Sequence, residues 1–271
     1  MTALSEALEA VALTDTGRMR DHNEDAVFVD AACGVAILAD GMGGCNAGEV
    51  ASGMAVAVLS ETLKRDFSAH LLHGAKASRN SVERIVLERV AATNAVIFET
   101  SLKQPEYTGM GTTLVAAVFH DDHVTIAHLG DSRLYLLRGG ELRVMTRDHS
   151  LLQEQMDAGL LVVGEGLHYE KNLVTRALGV DSFVNTESRT CAARPGDIYL
   201  LCSDGLSNML DERDIQLILE PLSGDIEQAA KQLVDMANNR GGYDNVSVVL
   251  IKILREFPAL EAAPESALKT V

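Results

Sequence analysis

The stretch "ILADGMGG" (Ile37–Gly44) runs apolar residues into an aspartate, Asp40, and then places three glycines among the next four positions. Two readings compete. Asp-Gly beside apolar residues is a strong hairpin signal that needs no chemistry. The alternative is that Asp40 ends a strand and delivers its carboxylate to the rim of a sheet. The arrangement recurs far away in "IYLLCSDG" (Ile198–Gly205), where an apolar run again meets Asp204-Gly205. Glu24 and Asp25 sit just before the run Val27–Val29, Asp244 sits just before Val246–Ile251, and Asp131 lies between two such runs in "VTIAHLGDSRLYLL". Acids at strand ends, distant along the chain, can converge on one rim, and that placement suggests a metal site.

Composition narrows the partners. The chain has 271 residues, 47% apolar and only 4% aromatic, so its core is built from Val, Leu, Ile and Ala. That length provides an ample core for a single domain. A formal net charge of −16 argues against nucleic acid or an anionic membrane surface, both of which demand clustered Lys and Arg. Clustered carboxylates are tolerable where divalent cations neutralise them. Four cysteines, Cys33, Cys45, Cys191 and Cys202, include no C-x-x-C pair, which fits neither a zinc site nor a disulfide scaffold. Cys33 and Cys202 read as small core residues. The N-terminus lacks a basic leader, and no apolar run reaches the roughly 18 residues needed to span a bilayer, so the expected location is the cytoplasm.

The expected organisation is one domain over residues 1–257 with a loosely ordered tail over 258–271, since no Pro- or Ser-rich linker divides the chain. Strand-like runs fall at 10–14, 26–29, 34–39, 112–119, 123–128, 132–138, 141–145, 185–190, 197–202 and 246–253. Gly139-Gly140 reads as a two-residue hairpin turn. Helical periodicity covers 48–64, carried by Val50, Met54, Ala57 and Val58, and 80–103, carried by Val82, Ile85, Val86, Val90, Val96 and Ile97. Shorter helices are expected at 150–158, 211–219 and 225–239, the last capped by Asp225. Strands joined mostly by hairpins, with helices in blocks, indicate an α+β fold.

Oxygen donors without a His or Cys cluster suit Mg²⁺ or Mn²⁺ rather than zinc. Two such ions about 3.5–4 Å apart can lower the pKa of a water and clamp a phosphate. A phosphate also needs a fixed cation, and "GRMRDHNED" supplies Arg18 and Arg20; Arg18 reads as a solvated surface residue. No cysteine has an arginine six positions on, and neither G-x-x-x-x-G-K-[ST], an EF-hand loop nor G-x-S-x-G occurs, which leaves metal-assisted hydrolysis.

In order along residues 10–253, "GRMRDHNED", "ILADGMGGCNAGEVAS", "GMGTTLVAAVF", "AHLGDSRLYLLR", "TRDHSLLQEQMDAG", "NLVTRALG", "PGDIYLLCSDGLSNML" and "GGYDNVSVV" resemble the motif series of the metal-dependent protein phosphatase 2C family, in its bacterial serine/threonine phosphatase branch. The resemblance implies a four-layer αββα sandwich, two packed antiparallel sheets flanked by helices, with a Mn²⁺/Mg²⁺ pair at one rim. It implies that Asp40 bridges both ions, that Glu24 and the Gly41 carbonyl serve the second, and that Asp204 and Asp244 hold the first. Asp25 joins the cluster, Asp131 binds a third ion as in bacterial relatives, and Arg20 clamps the substrate phosphate. The implied reaction is hydrolysis of phosphoserine and phosphothreonine on proteins by metal-activated water, opposing a bacterial serine/threonine kinase whose targets, or which itself, would be the substrate. A catalytically silent phosphoprotein-binding module is the alternative. Met42 and Cys45 stand where relatives carry a histidine general acid, so His22 becomes the nearest proton donor in sequence. Residues 148–175 correspond to the family's flap and read "GLHYEKN" in place of the common His-Pro pair.

Overall fold

A computed structural model describes residues 4–43, 47–73, 79–160 and 173–257. Two sheets form its centre. The first has the strand order β1-β11-β10-β7-β8, built from β1 (Leu8–Asp15), β7 (Arg133–Arg138), β8 (Glu141–Val144), β10 (Ile198–Cys202) and β11 (Val246–Ile253). The second runs β2-β3-β5-β6-β9, from β2 (Asp25–Asp30), β3 (Val35–Met42), β5 (Leu114–His120), β6 (His123–Leu129) and β9 (Glu187–Ala192), with the short β4 (Gly111–Thr112) also on β3. Every pairing is antiparallel.

The alternation of side chains explains the layers. In β3, Ala36 and Leu38 turn toward the other sheet, while Val35, Ile37 and Ala39 turn outward. In β10, Tyr199 and Leu201 face inward while Ile198, Leu200 and Cys202 face outward. Strands buried on both faces lose the usual polar alternation, which is why they read as continuous apolar runs. Between the sheets, Ala36, Leu38, Val115, Phe119 and Ile126 meet Leu134, Leu136, Tyr199, Leu201, Val249 and Ile251. The long helices α2 (Ala47–His73) and α3 (Arg79–Lys103) cover the outer face of the second sheet. The helices α6 (Glu212–Leu219) and α7 (Ile226–Asn239) cover that of the first. This is the expected four-layer α+β sandwich.

Local rules operate where expected. Asp225 caps α7 by accepting from the Gln228 N–H, and Gly139 and Gly140 both adopt positive φ between the paired Arg138 and Glu141. Ser150 caps α4 (Leu151–Asp157). The phase of α2 differs from the sequence expectation. Its buried stripe is Ala47, Ala51, Ala55, Leu59 and Leu63, while Ala57 is exposed and Val50 and Met54 are only partly covered. Alanines present too little apolar weight to dominate a sequence pattern, yet they let a helix lie close to a sheet. On α3, Val96 likewise faces solvent. The run expected at 112–119 is two strands in one register on β3, interrupted at Thr113. The tail over 258–271, Cys45 and all of "GLHYEKN" lie outside the described residues.

Candidate metal centre and active site

Asp40 does not sit in a turn: β3 continues past it to Met42, and Gly41 pairs with Thr112. The glycine is needed for a different reason. A Cβ on Gly41 would stand 2.2 Å from the Gly48 carbonyl oxygen and 2.6 Å from that of Glu24, so only glycine lets the strand pass between the Glu24 backbone and the start of α2. Gly205 repeats the device, since its Cβ would lie 2.0 Å from the Asn245 carbonyl oxygen. It belongs to α5 (Asp204–Ser207), a single turn not expected from the sequence. Both Asp-Gly pairs are therefore points of close backbone approach, and the hairpin reading is set aside.

The rim receives the ends of β3, β6 and β10 and the beginnings of β2, β5, β7 and β11. Asp25 opens β2 directly opposite Asp40. Asp204 follows β10 and Asp244 precedes β11, its antiparallel neighbour. Asp131 lies in the link from β6 to β7, where the chain crosses between sheets. Five acids separated by up to 219 positions, from Asp25 to Asp244, so share one edge.

Neighbouring groups fix them in place. The Asp40 N–H donates to Thr113 Oγ1 at 3.0 Å, and that hydroxyl is 2.7 Å from Ser132 Oγ, adjoining Asp131. Ser203 Oγ donates to Asp25 Oδ2 at 2.8 Å, and Asn208 Nδ2 to Asp204 Oδ2 at 3.0 Å. Asn245 holds one whole side of the rim. Its Nδ2 donates to the carbonyls of Thr16 and His22, both at 2.9 Å, and its Oδ1 accepts from the Glu24 N–H at 2.8 Å. The segment carrying Arg20 and Glu24 is thus tied to the residue after Asp244. Sequence reading passed over Asn245, Ser203 and Thr113, although two of them adjoin acids it singled out.

The electrostatics are those of anions crowded out of water. Burial raises the Asp25 carboxyl to about 7, with Asp204 and Asp244 adding to the rise against hydrogen bonds from Ser247 and Ser203. Burial, then the charge of Asp204, raises Asp131 to about 7, and burial, then Asp244, raises Asp204 to about 6. Asp40 is pushed well up by burial and by all four other aspartates. Asp25 Oδ1 and Asp204 Oδ1 are buried with no hydrogen-bond partner in the protein. Such oxygens need an electropositive partner. An all-carboxylate set with two unpartnered oxygens fits hard divalent cations.

Glu24 is well covered, its carboxylate lying where a side chain on Gly48 would be, and His22 Nε2 is 3.5 Å from its Oε1. Arg20 Nη2 donates to Asp244 Oδ2 at 2.6 Å, yet about half of the arginine side chain remains exposed at the mouth of the site. Arg18 is exposed and contributes its backbone N–H to the Gly242 carbonyl at 2.8 Å.

Residues 18–241 match the family described as Protein phosphatase 2C. The chain belongs to that family. It is 39% identical over 243 residues to the serine/threonine phosphatase stp of Listeria monocytogenes, covering 88% of this chain and 93% of that one. Among solved structures, the Mycobacterium tuberculosis serine/threonine phosphatase PstP/Ppp superposes with a TM-score of 0.82 at 35% identity, covering 92% of this chain and 100% of the other. The PstP catalytic domain in complex with two manganese ions gives 0.78 at 35% identity, with 92% and 99% covered. Family members with this fold at such identity carry the names of phosphatases, which leaves the silent-module alternative without support.

Proposed function

We propose that this chain is a metal-dependent serine/threonine protein phosphatase that hydrolyses phosphoserine and phosphothreonine on proteins. The observation that carries the reading is the rim itself: five aspartates on one edge, two of them with buried oxygens that no protein group satisfies. Asp40, Asp204 and Asp244 would hold a pair of divalent cations, with Asp25, Glu24 and the Gly41 carbonyl completing the set and Asp131 holding a third. The Mn²⁺-bound relative and the all-oxygen donors support Mn²⁺ or Mg²⁺. Bound there, the cations would activate a water as nucleophile and neutralise the phosphate.

The protein's own groups do the rest. The charge of Asp204 is among those that push the Asp40 carboxyl up, so the pair depends on a shared positive partner to remain ionised. Arg20, anchored on Asp244 but half-exposed, can offer its planar fork to two oxygens of a phosphate. His22 lies beside Glu24 at the open side of the rim, where it could return a proton to the departing serine or threonine oxygen.

We further propose that residues 1–257 act as one phosphatase domain, supported by the single layer of side chains that both sheets share. Among the described residues no helix is long and apolar enough to cross a membrane, and Cys191 and Cys202 are free thiols, which supports a cytoplasmic role opposite a serine/threonine kinase. The test is hydrolysis of a phosphothreonine peptide and of p-nitrophenyl phosphate by metal-stripped protein, with Mn²⁺ or Mg²⁺ restored. Turnover that persists after verified metal removal would overturn the reading.

A further inference from the structure

His149 opens the flap segment, and it is bound to the link carrying Asp131 by two hydrogen bonds. Its own N–H donates to the Gly130 carbonyl at 2.9 Å, and the Gly130 N–H donates back to its Nδ1 at 3.1 Å. The imidazole therefore completes, with a side-chain nitrogen, the exchange of bonds that a β-ladder makes between two backbones. Gly130 passes close to Thr113, where a Cβ at that position would fall 2.6 Å from Thr113 Cγ2. The flap ends are joined at the same place: Thr175 N–H donates to the His149 carbonyl at 2.8 Å, and Arg133 clamps Asp148 through two bonds of 2.9 and 2.7 Å.

The other side of the ring decides its tautomer. Nδ1 accepts from Gly130, so the proton of the neutral ring lies on Nε2, where Glu187 Oε1 waits at 3.1 Å. Arg176 fixes that carboxylate from 3.2 Å, and His128 stacks on His149 with centroids 4.9 Å apart. Burial holds His149 below the ordinary histidine range, keeping the ring neutral. His128, His149 and Glu187 lie close enough together to suggest a cation site. The tautomer argues otherwise, since Nε2 carries a proton and faces a guanidinium.

We propose that His149, protonated on Nε2 and held there by Glu187, is a positioning residue that locks the Gly130–Asp131 link to the base of the flap and so sets the place of the Asp131 carboxylate. The proposal rests on the reading of Asp131 as a ligand of the third cation. His149 acts through the Gly130 peptide.

The experiment titrates Mn²⁺ into metal-stripped protein by calorimetry and follows p-nitrophenyl phosphate hydrolysis in parallel, for wild type, His149→Asn, His149→Leu, Glu187→Ala and Asp131→Asn. Asparagine keeps an acceptor close to the Nδ1 position; leucine does not. The expected result is that His149→Leu weakens the Mn²⁺ that Asp131→Asn also weakens, by about tenfold, as loss of an outer-shell partner does, with KM unchanged. His149→Asn should stay near wild type, and Glu187→Ala should shift the same constant in the same direction by less. Should the leucine variant fail to fold, Glu187→Ala, on the exposed side of the ring, decides the question. The proposal is overturned if leucine and asparagine variants bind Mn²⁺ alike, or if Glu187→Ala binds it as wild type does while Asp131→Asn is weakened. An Asp131→Asn protein with wild-type Mn²⁺ binding overturns instead the assignment of Asp131 as a ligand, and the proposal falls with it.

Discussion

Arg20 and Arg18 are two residues apart and make opposite kinetic predictions. The Arg20 guanidinium stands on Asp244 at the mouth of the proposed metal centre, whereas Arg18 is exposed and engages Gly242 through its backbone. If Arg20 receives the phosphate, Arg20→Ala should raise KM for phosphopeptide and aryl phosphate alike, because both present the same dianion. Stabilisation of charge in the transition state should also appear in kcat, for a combined loss of about 10²-fold in kcat/KM. Arg20→Lys should recover part of this, since a point charge cannot make two parallel hydrogen bonds. Arg18→Ala should be near wild type. Steady-state kinetics of the three variants check the assignment, and a greater loss at Arg18 would reverse it. Asp40→Asn should lose turnover and Mn²⁺ affinity together while raising the melting temperature of the metal-free protein, because it removes the carboxyl that all four neighbouring aspartates repel.

At the scale of elements, the glycines separate chemistry from mere flexibility. Gly41→Ala and Gly205→Ala each drive a methyl group into a backbone carbonyl, at 2.2 and 2.0 Å, and neither carbonyl belongs to a side chain that can swing away. Each should destabilise the protein by about 3 kcal/mol and weaken metal binding, the cost of overpacking against fixed structure. Gly53, inside α2 with open space around it, is the control: Gly53→Ala should stabilise by about 0.5–1 kcal/mol. Denaturant melts of the three variants measure both signs. The same contrast explains what the chain made legible. Apolar runs buried on both faces announced β3, β10 and β11, and the acids at their ends could be picked out because a strand end is a place, not just a composition. The stripe of α2 was misphased because alanines carry its burial. Asn245 and Ser203 were not legible as parts of the site, since their partners lie 221 and 178 positions away and only the pairing of strands brings them together.

Over the whole molecule, the crowded rim makes stability depend on pH without metal and frees it from that dependence when metal is bound. In the metal-free protein Asp25 and Asp131 titrate at about 7 and Asp204 at about 6, all above the value of about 4 for an unfolded aspartate. A group whose folded pKa is raised binds its proton more tightly when folded. Its contribution is therefore complete below about pH 4 and is lost as pH rises through 6 and 7. The chelated protein should accordingly melt higher at pH 5.5 than at pH 7.5, a window in which the ion pair lowering Asp214 to about 2 does not yet titrate. Saturating Mn²⁺ should flatten the slope, because carboxylates held by cations are then ionised in the folded protein as they are in the unfolded chain. Cations bind the ionised carboxylates, so protons compete with them, and the stabilisation that binding adds grows as pH rises through the same range. Calorimetric melts at the two pH values, with chelator and with excess Mn²⁺, give four temperatures. The expected pattern is a Mn²⁺ line that lies above the chelator line and diverges from it as pH rises. Parallel lines would mean that the aspartates at the rim are not the groups that take up the metal, whatever else the protein binds.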